Sequence, residues 1–162
     1  SYLKKRCVLF LKGQEDGTVR ADELAMAVSE ICAYLRPLGL HVGVEWAQAE
    51  LLHAETVLAL FDAFAELLTC AAAAGTEHVF CRFTDDTVIF LLGDADWIAP
   101  WAAAWQEEHG TDVTTEDRGY AHALTIRSAA AMQEGKGGRA AHAAEEHRST
   151  QDGERRGTTW NG

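Results

Sequence analysis

Along this chain of 162 residues, stretches with apolar side chains at helical spacing give way to stretches in which apolar and polar residues alternate. Residues 2–11, Tyr-Leu-Lys-Lys-Arg-Cys-Val-Leu-Phe-Leu, predict a short helix, broken by the glycines at 13 and 17. Leu24, Val28, Ile31 and Leu35 form a stripe that predicts a second helix over 21–35, ended by Pro37 and Gly39. Residues 40–46 alternate as a strand, with Val42 and Val44 facing one way and His41, Gly43 and Glu45 the other. Residues 55–74 carry a wide apolar face of Val57, Leu60, Phe61, Phe64, Leu67 and Leu68, which predicts a deeply buried central helix capped by Gly75. Two strands, 78–83 and 87–92, come next around Thr84-Asp85-Asp86 and predict a hairpin with Val79, Cys81 and Phe83 on one face. A short Trp- and Ala-rich helix over 97–109 precedes a second hairpin, 112–116 and 120–126, turning at Asp117-Arg118-Gly119.

After the first two helices the order is therefore β-α-β-β-α-β-β. Tight hairpins make their strand pairs antiparallel. One mixed sheet covered by helices on one face is the economical packing, so the expected class is a two-layer α/β (α+β) sandwich preceded by a short helical hairpin. From residue 127 the periodicity decays. Residues 129–131 and 140–146 have helix-forming composition, whereas 135–139 and 149–162 supply no core residues. The expected division is a helical segment over 1–37, an α/β domain over 38–126 and a mobile tail over 127–162.

Charge sharpens this division. The chain carries a net charge of −11. Residues 1–126 hold 8 Lys and Arg against 20 Asp and Glu, while 127–162 hold 6 against 5. So acidic a folded part argues against a nucleic-acid surface. No apolar run approaches the roughly 18 to 20 residues that span a bilayer, and no signal-peptide pattern is present. The first residue is not Met, so the expectation is a piece of a longer protein. Cys7, Cys32, Cys70 and Cys81 form no CxxC pair and sit within apolar patterns, which predicts reduced, buried thiols in a cytoplasmic setting. His142 and His147 are spaced poorly for one metal on a helix, and no metal site is expected.

The helix 55–74, with the strands and turn after it, resembles the ATPase domain of bacterial sensor histidine kinases, of the Bergerat (GHKL) type. In that family a helix reading roughly Glu-x-x-x-Asn-Ala precedes two strands, then Asp-x-Gly-x-Gly, then a long glycine-rich lid. Here Glu66-Leu-Leu-Thr-Cys70-Ala71 occupies the helix motif, and Asp94 in Gly93-Asp-Ala-Asp-Trp97 stands where the adenine-binding Asp is expected. The resemblance covers about residues 40–126 in element order. It implies a nucleotide site at Glu66, Cys70 and Asp94, with ATP and Mg²⁺ as cofactors if that site is active.

The departures bear directly on that chemistry. Cys70 replaces the Asn whose oxygen helps hold Mg²⁺, an ion that prefers hard oxygen ligands. Asp96 and Ile98 replace glycines that let backbone approach the nucleotide. Residues 93–111 are largely taken by one helix, leaving no room for a lid, and no P-loop offers another phosphate cradle. The resemblance thus implies a degenerate site with no cofactor.

The front end is similar to a shortened dimerisation hairpin, which would make residues 1–37 a homodimer surface. It contains no histidine to accept phosphate, the first being His41. Lys4-Lys5-Arg6 would suit a position just inside a membrane, reached only through an upstream segment.

Other chemistry is thinner. There is no Gly-x-Ser-x-Gly elbow, and Cys70 among alanines lacks the electropositive setting of a nucleophile. Asp94 or Asp96 could cap the helix after them, as His53 or Glu55 could cap the central helix. Trp97, Trp101 and Trp105 repeat at i, i+4 and i+8, as a core stripe or as a binding groove. Three functional readings result. The leading one is a cytoplasmic, bacterial, two-component-type signalling module, a pseudokinase acting on a protein partner. The others are an active histidine kinase using Glu66 and Asp94, and an unrelated α/β protein-interaction domain.

Overall fold

The computed structural model of the protein describes residues 2–128. The elements run α1 (Tyr2–Gly13), β1 (Thr18–Arg20), α2 (Ala21–Leu35), a 3-10 turn (Arg36–Leu38), β2 (His41–Ala47), β3 (Leu51–His53), α3 (Ala54–Ala73), β4 (His78–Thr84), β5 (Thr87–Leu92), α4 (Ile98–His109), β6 (Val113–Asp117) and β7 (His122–Arg127). Five strands form one mixed sheet in the order β2-β4-β5-β7-β6, with β2 and β4 parallel and the other pairs antiparallel. The parallel pair is joined by α3, as a parallel connection requires. The architecture is the expected α+β sandwich.

Strand alternation puts Val79, Cys81 and Phe83 of β4, Val88, Phe90 and Leu92 of β5, and Leu124 and Ile126 of β7 on one buried face. The residues between them on β4 (His78, Phe80, Arg82) are exposed. Against the buried face α3 lays Leu60, Phe61, Phe64, Leu67 and Leu68, each essentially inaccessible. Phe64 meets Phe83 at a ring separation of 5.6 Å, and Trp46 of β2, the register partner of Phe83, stacks on it at 4.7 Å. Leu9 of α1, Leu24, Val28 and Ile31 of α2, and Ile98 and Trp105 of α4 join the same cluster. Residues 1–37 and 38–126 thus contribute to one core.

Both ends of α3 are sharply defined. At its C-terminus Gly75, at φ 78°, donates to Ala72 O, and Thr76 N–H donates to Ala71 O, which together make a Schellman closure. At its N-terminus a Cβ on Gly13 would collide with the Cβ of Ala54, so only glycine lets the end of α1 lie against the first residue of α3. With 20 residues and mean hydropathy 1.7, α3 is long and apolar enough to match a membrane span, which corrects the expectation from apolar runs alone. Its apolar side is packed on the sheet, as in the core helix of a globular domain.

Several other expectations change. Strands β1 and β3 pair antiparallel, Thr18 opposite His53 and Arg20 opposite Leu51, and neither emerges from the sequence pattern because three residues are too few to show alternation. Ala54 N–H to Gly17 O and Ala21 N–H to Glu50 O extend this small ladder at its two ends. Neither Asp94 nor Asp96 caps α4: its N-cap position is Trp97, with no side-chain cap bond. His53 holds the N-cap position of α3 without capping through its side chain. Of the four cysteines only Cys81 is buried, Cys32 and Cys70 are partly covered, and Cys7 is exposed on α1. Arg127 closes β7 and Ser128 is buried, its N–H donating to Asp86 O. The tail readings for 129–162, including the helical stretches and His142 and His147, lie outside the described residues.

Two substitutions test this packing in equilibrium urea unfolding. Leu68→Ala should cost about 2–5 kcal/mol, from lost burial and an unfilled cavity. Gly13→Ala should cost about 1–3 kcal/mol by overpacking the α1–α3 contact, despite alanine being the better helix former. A neutral Gly13→Ala would mean that the contact yields freely.

Candidate functional site

The residues expected to form a nucleotide site come from α3 and from the segment beyond β5. Glu66 is exposed on α3, and Cys70 lies one turn further on, partly covered. Burial, and secondarily the Glu66 carboxylate, raise the Cys70 thiol above its ordinary range, so it is a neutral thiol rather than a thiolate. The helix spacing thus brings Glu66 and Cys70 together. Asp94, beyond β5, is exposed and accepts a hydrogen bond from His122 Nε2 at 2.7 Å. His122 was not singled out by sequence reasoning. Its partnership with Asp94 arises from the pairing of β5 with β7, where Leu92 stands opposite His122.

The span after Asp94 is occupied by α4. Ile98, Ala102 and Trp105 anchor it in the core. Trp101 and Trp105 stack at 5.3 Å, and Trp105 stacks on His109 at 3.7 Å. The aromatic stripe is therefore mainly a packing device, with Trp97 and Trp101 only partly covered. The indole Nε1 atoms of all three tryptophans are buried without a hydrogen-bond partner. Glu66 faces a hollow of about 390 Å³ that it shares with Tyr2, Tyr34, Asp62, Thr69, Trp105 and His109, among others. A smaller one of about 280 Å³ adjoins the same Asp62, Trp105 and His109, and reaches Leu58, Ile126 and Ser128.

Asp62, at the boundary of both hollows, ties α1 to α3. Tyr2 Oη donates to Asp62 Oδ1 at 2.5 Å, and Arg6 donates from Nε to Oδ1 at 2.9 Å and from its terminal nitrogen to Oδ2 at 3.2 Å. Tyr2 also stacks on Phe61 at 5.6 Å. Burial, with the Asp62 hydrogen bond and charge next, pushes the Tyr2 hydroxyl up to about 12. Lys5 pairs with Glu30 of α2 at 2.6 Å. Of the basic cluster at 4–6, then, two members serve contacts within the fold and Lys4 stays exposed. No group of three metal-ligating side chains occurs among the described residues.

An α+β sandwich with its four helices joined in one core is the class of protein these elements define. No protein-family profile matches the sequence, and no curated protein matches it. Among solved structures, the chain is similar to the cytoplasmic segment of the histidine kinase QseC, at 14% identity and a TM-score of 0.48, covering 78% of this chain and 88% of that one. It is also similar to the histidine kinase domain of the Erythrobacter litoralis EL346 blue-light-activated histidine kinase, at 14% identity and a TM-score of 0.49, covering 77% and 78%. The catalytic domain of histidine kinase ThkA aligns at 12% identity and a TM-score of 0.41, covering 67% and 92%. At these identities and scores the likeness by itself assigns no activity, ligand or partner to this chain.

The Tyr2–Asp62 contact has a pH signature. The hydroxyl ionises at 10.0 when unperturbed and at about 12 in the fold. Its contribution to stability is therefore fully present below pH 10 and is lost as pH rises through about 12. Comparing urea midpoints of the parent and Tyr2→Phe across this range should show a stability difference that shrinks as pH rises. A difference that stays constant with pH would mean that burial and Asp62 together do not hold the hydroxyl in its neutral form.

Proposed function

We propose that the chain is a signal-transduction module of a bacterial sensor-histidine-kinase-like protein, on the cytoplasmic side, that acts through protein contact without binding ATP. In two-component terms it is a pseudokinase that passes on a conformational state. The observation carrying this reading is the exposed apolar stripe on α1. Leu3 is 71% exposed, Leu11 66%, Phe10 47% and Val8 38%, with Cys7 exposed between them. Leu3, Cys7 and Phe10 recur at i, i+4 and i+7, the spacing of a helix–helix seam. The buried side of the same helix is pinned to α3 through Leu9, Tyr2 and Arg6. A helix fixed on one side and apolar on the other suits a second copy of itself, making residues 1–37 the homodimer segment. It could then report the state of that pair to α3 and to a protein partner.

Loss of nucleotide binding is supported by the chemistry of the expected site. A neutral thiol at Cys70 is a poor ligand for Mg²⁺. The carboxylate of Asp94 is already engaged by His122. The segment that would cover phosphates is instead a helix anchored by Ile98 and Trp105. The same site carried the active-kinase reading, and these three features argue against it.

Sedimentation tests the proposed seam. The parent protein should dimerise, and Leu3→Glu with Leu11→Glu should return it to monomer while leaving the urea midpoint nearly unchanged, because both side chains are exposed. Under mild oxidation Cys7 should cross-link one copy to the other, and Cys7→Ser should abolish the covalent dimer. A parent that stays monomeric, or a dimer indifferent to both glutamates, would remove α1 as the contact surface.

A further inference from the structure

At the end of the sheet where β2 and β4 begin lies a hollow of about 450 Å³ that plays no part in the functions considered so far. Glu66, Cys70 and Asp94 are not among the residues lining it. Its polar side is made by Arg36, just past α2, and by His41 and His78. The two histidines are register partners on adjacent parallel strands, and their imidazole rings stack at 5.5 Å. Its apolar side is made by Val42, Phe80 and Leu91, with Phe80 41% exposed. Gly43 belongs to the shape of the site. A side chain there would press on the Phe80 ring, with a Cβ only 3.1 Å from Cδ2, so glycine lets that ring lie across β2.

The charge around this hollow sets it apart from the rest of the surface. Among the described residues, Lys5, Arg6, Lys12, Arg20, Arg82, Arg118 and Arg127 are each paired with a carboxylate. Arg36 and the exposed Lys4 have no such partner among the same residues, Lys4 lies outside the hollow, and no Asp or Glu lines it. In a chain with 25 acidic residues against 14 basic ones, an unpaired guanidinium beside two imidazoles and an exposed aromatic ring is an unusual surface. Arg36 offers a planar fork of N–H donors suited to a carboxylate or phosphate, and each imidazole carries at least one N–H. Phe80 and Leu91 offer a flat apolar surface beside those donors. The volume matches a small molecule rather than a peptide helix.

We propose that this hollow binds a small organic anion, a carboxylate or phosphate carried on a planar apolar body. The anionic group pairs with Arg36 and accepts from His41 and His78, and the apolar body lies on Phe80 and Leu91. Site and ligand class are independent of whether α1 dimerises or the nucleotide site has been lost.

Amide NMR titration of the whole chain tests the proposal, with benzoate and phenyl phosphate as anionic probes and benzyl alcohol as the neutral one. Either anion should produce saturable shifts confined to residues 36, 41–43, 78–80, 91–93 and 121, while benzyl alcohol should leave them in place. Arg36→Gln should weaken anion binding by about tenfold or more, the loss of a charge-assisted hydrogen bond. Lys4→Gln, which removes an unpaired cation outside the hollow, should leave affinity unchanged. Gly43→Val should weaken binding by displacing Phe80, with the urea midpoint recorded to separate this from unfolding. Absence of saturable shifts with both anions, equal binding of benzyl alcohol, or indifference to Arg36→Gln would each overturn the proposal.

Discussion

The described fold depends on one face of α3. Leu60, Phe64, Leu67 and Leu68 recur at helical spacing, and the strands opposite present Val79, Cys81, Phe83, Phe90 and Leu124 at strand spacing. The two periodicities interlock in a layer with almost no accessible surface. Burial of each large side chain there is worth roughly 1.5–3 kcal/mol, against the entropy of ordering it. Cys81 belongs to this layer: burial drives its thiol far above the ordinary range, with nearby Cys32 adding to the shift. Its role is that of a small apolar residue, and its weak S–H bond to Gly43 O at 3.6 Å leaves it nothing to do as a nucleophile.

The opposite side of α3 connects the helices to one another. Asp62 is next in sequence to core residue Phe61 and receives Tyr2 and Arg6 from α1. Trp105 and His109 of α4 line the same hollow as Asp62. At the other end of the sheet the tip of the β4–β5 hairpin does a similar job. Asp86 holds Arg127 through Nε at 3.1 Å and a terminal nitrogen at 2.9 Å, and Asp85 accepts from Ala49 N–H at 2.6 Å. Gln48 donates to Thr84 O at 2.8 Å in the same region. The acidic residues that give the chain its charge are thus partly structural, each joining segments distant in sequence.

Long elements with a clear period were legible in the sequence. Residues 21–35, the central helix, both hairpins and the one-sided sheet all emerge from spacing, because each had enough turns or alternations to declare its face. What stayed hidden depended on contacts between distant segments. Strands β1 and β3 are three residues each and exist only through pairing with each other. The link from His122 to Asp94, and the meeting of Arg36 with His41 and His78, require knowledge of strand order. The exposure of Cys7 could not be read from its apolar neighbours, because both sides of α1 are apolar and only packing shows which one α3 covers. At the candidate site the i, i+4 relation of Glu66 and Cys70 was visible in advance, whereas the engagement of Asp94 was not.

The proposed function requires that α4 and the side chains of Cys70 and Asp94 leave no nucleotide site in this sandwich. Calorimetric titration of the folded chain with ATP and Mg²⁺, carried to millimolar nucleotide, tests it most directly. A sample that unfolds cooperatively should give no saturable heat. Saturable, Mg²⁺-dependent binding that is lost in Asp94→Asn would contradict the claim and restore the chain as an ATP-binding kinase domain.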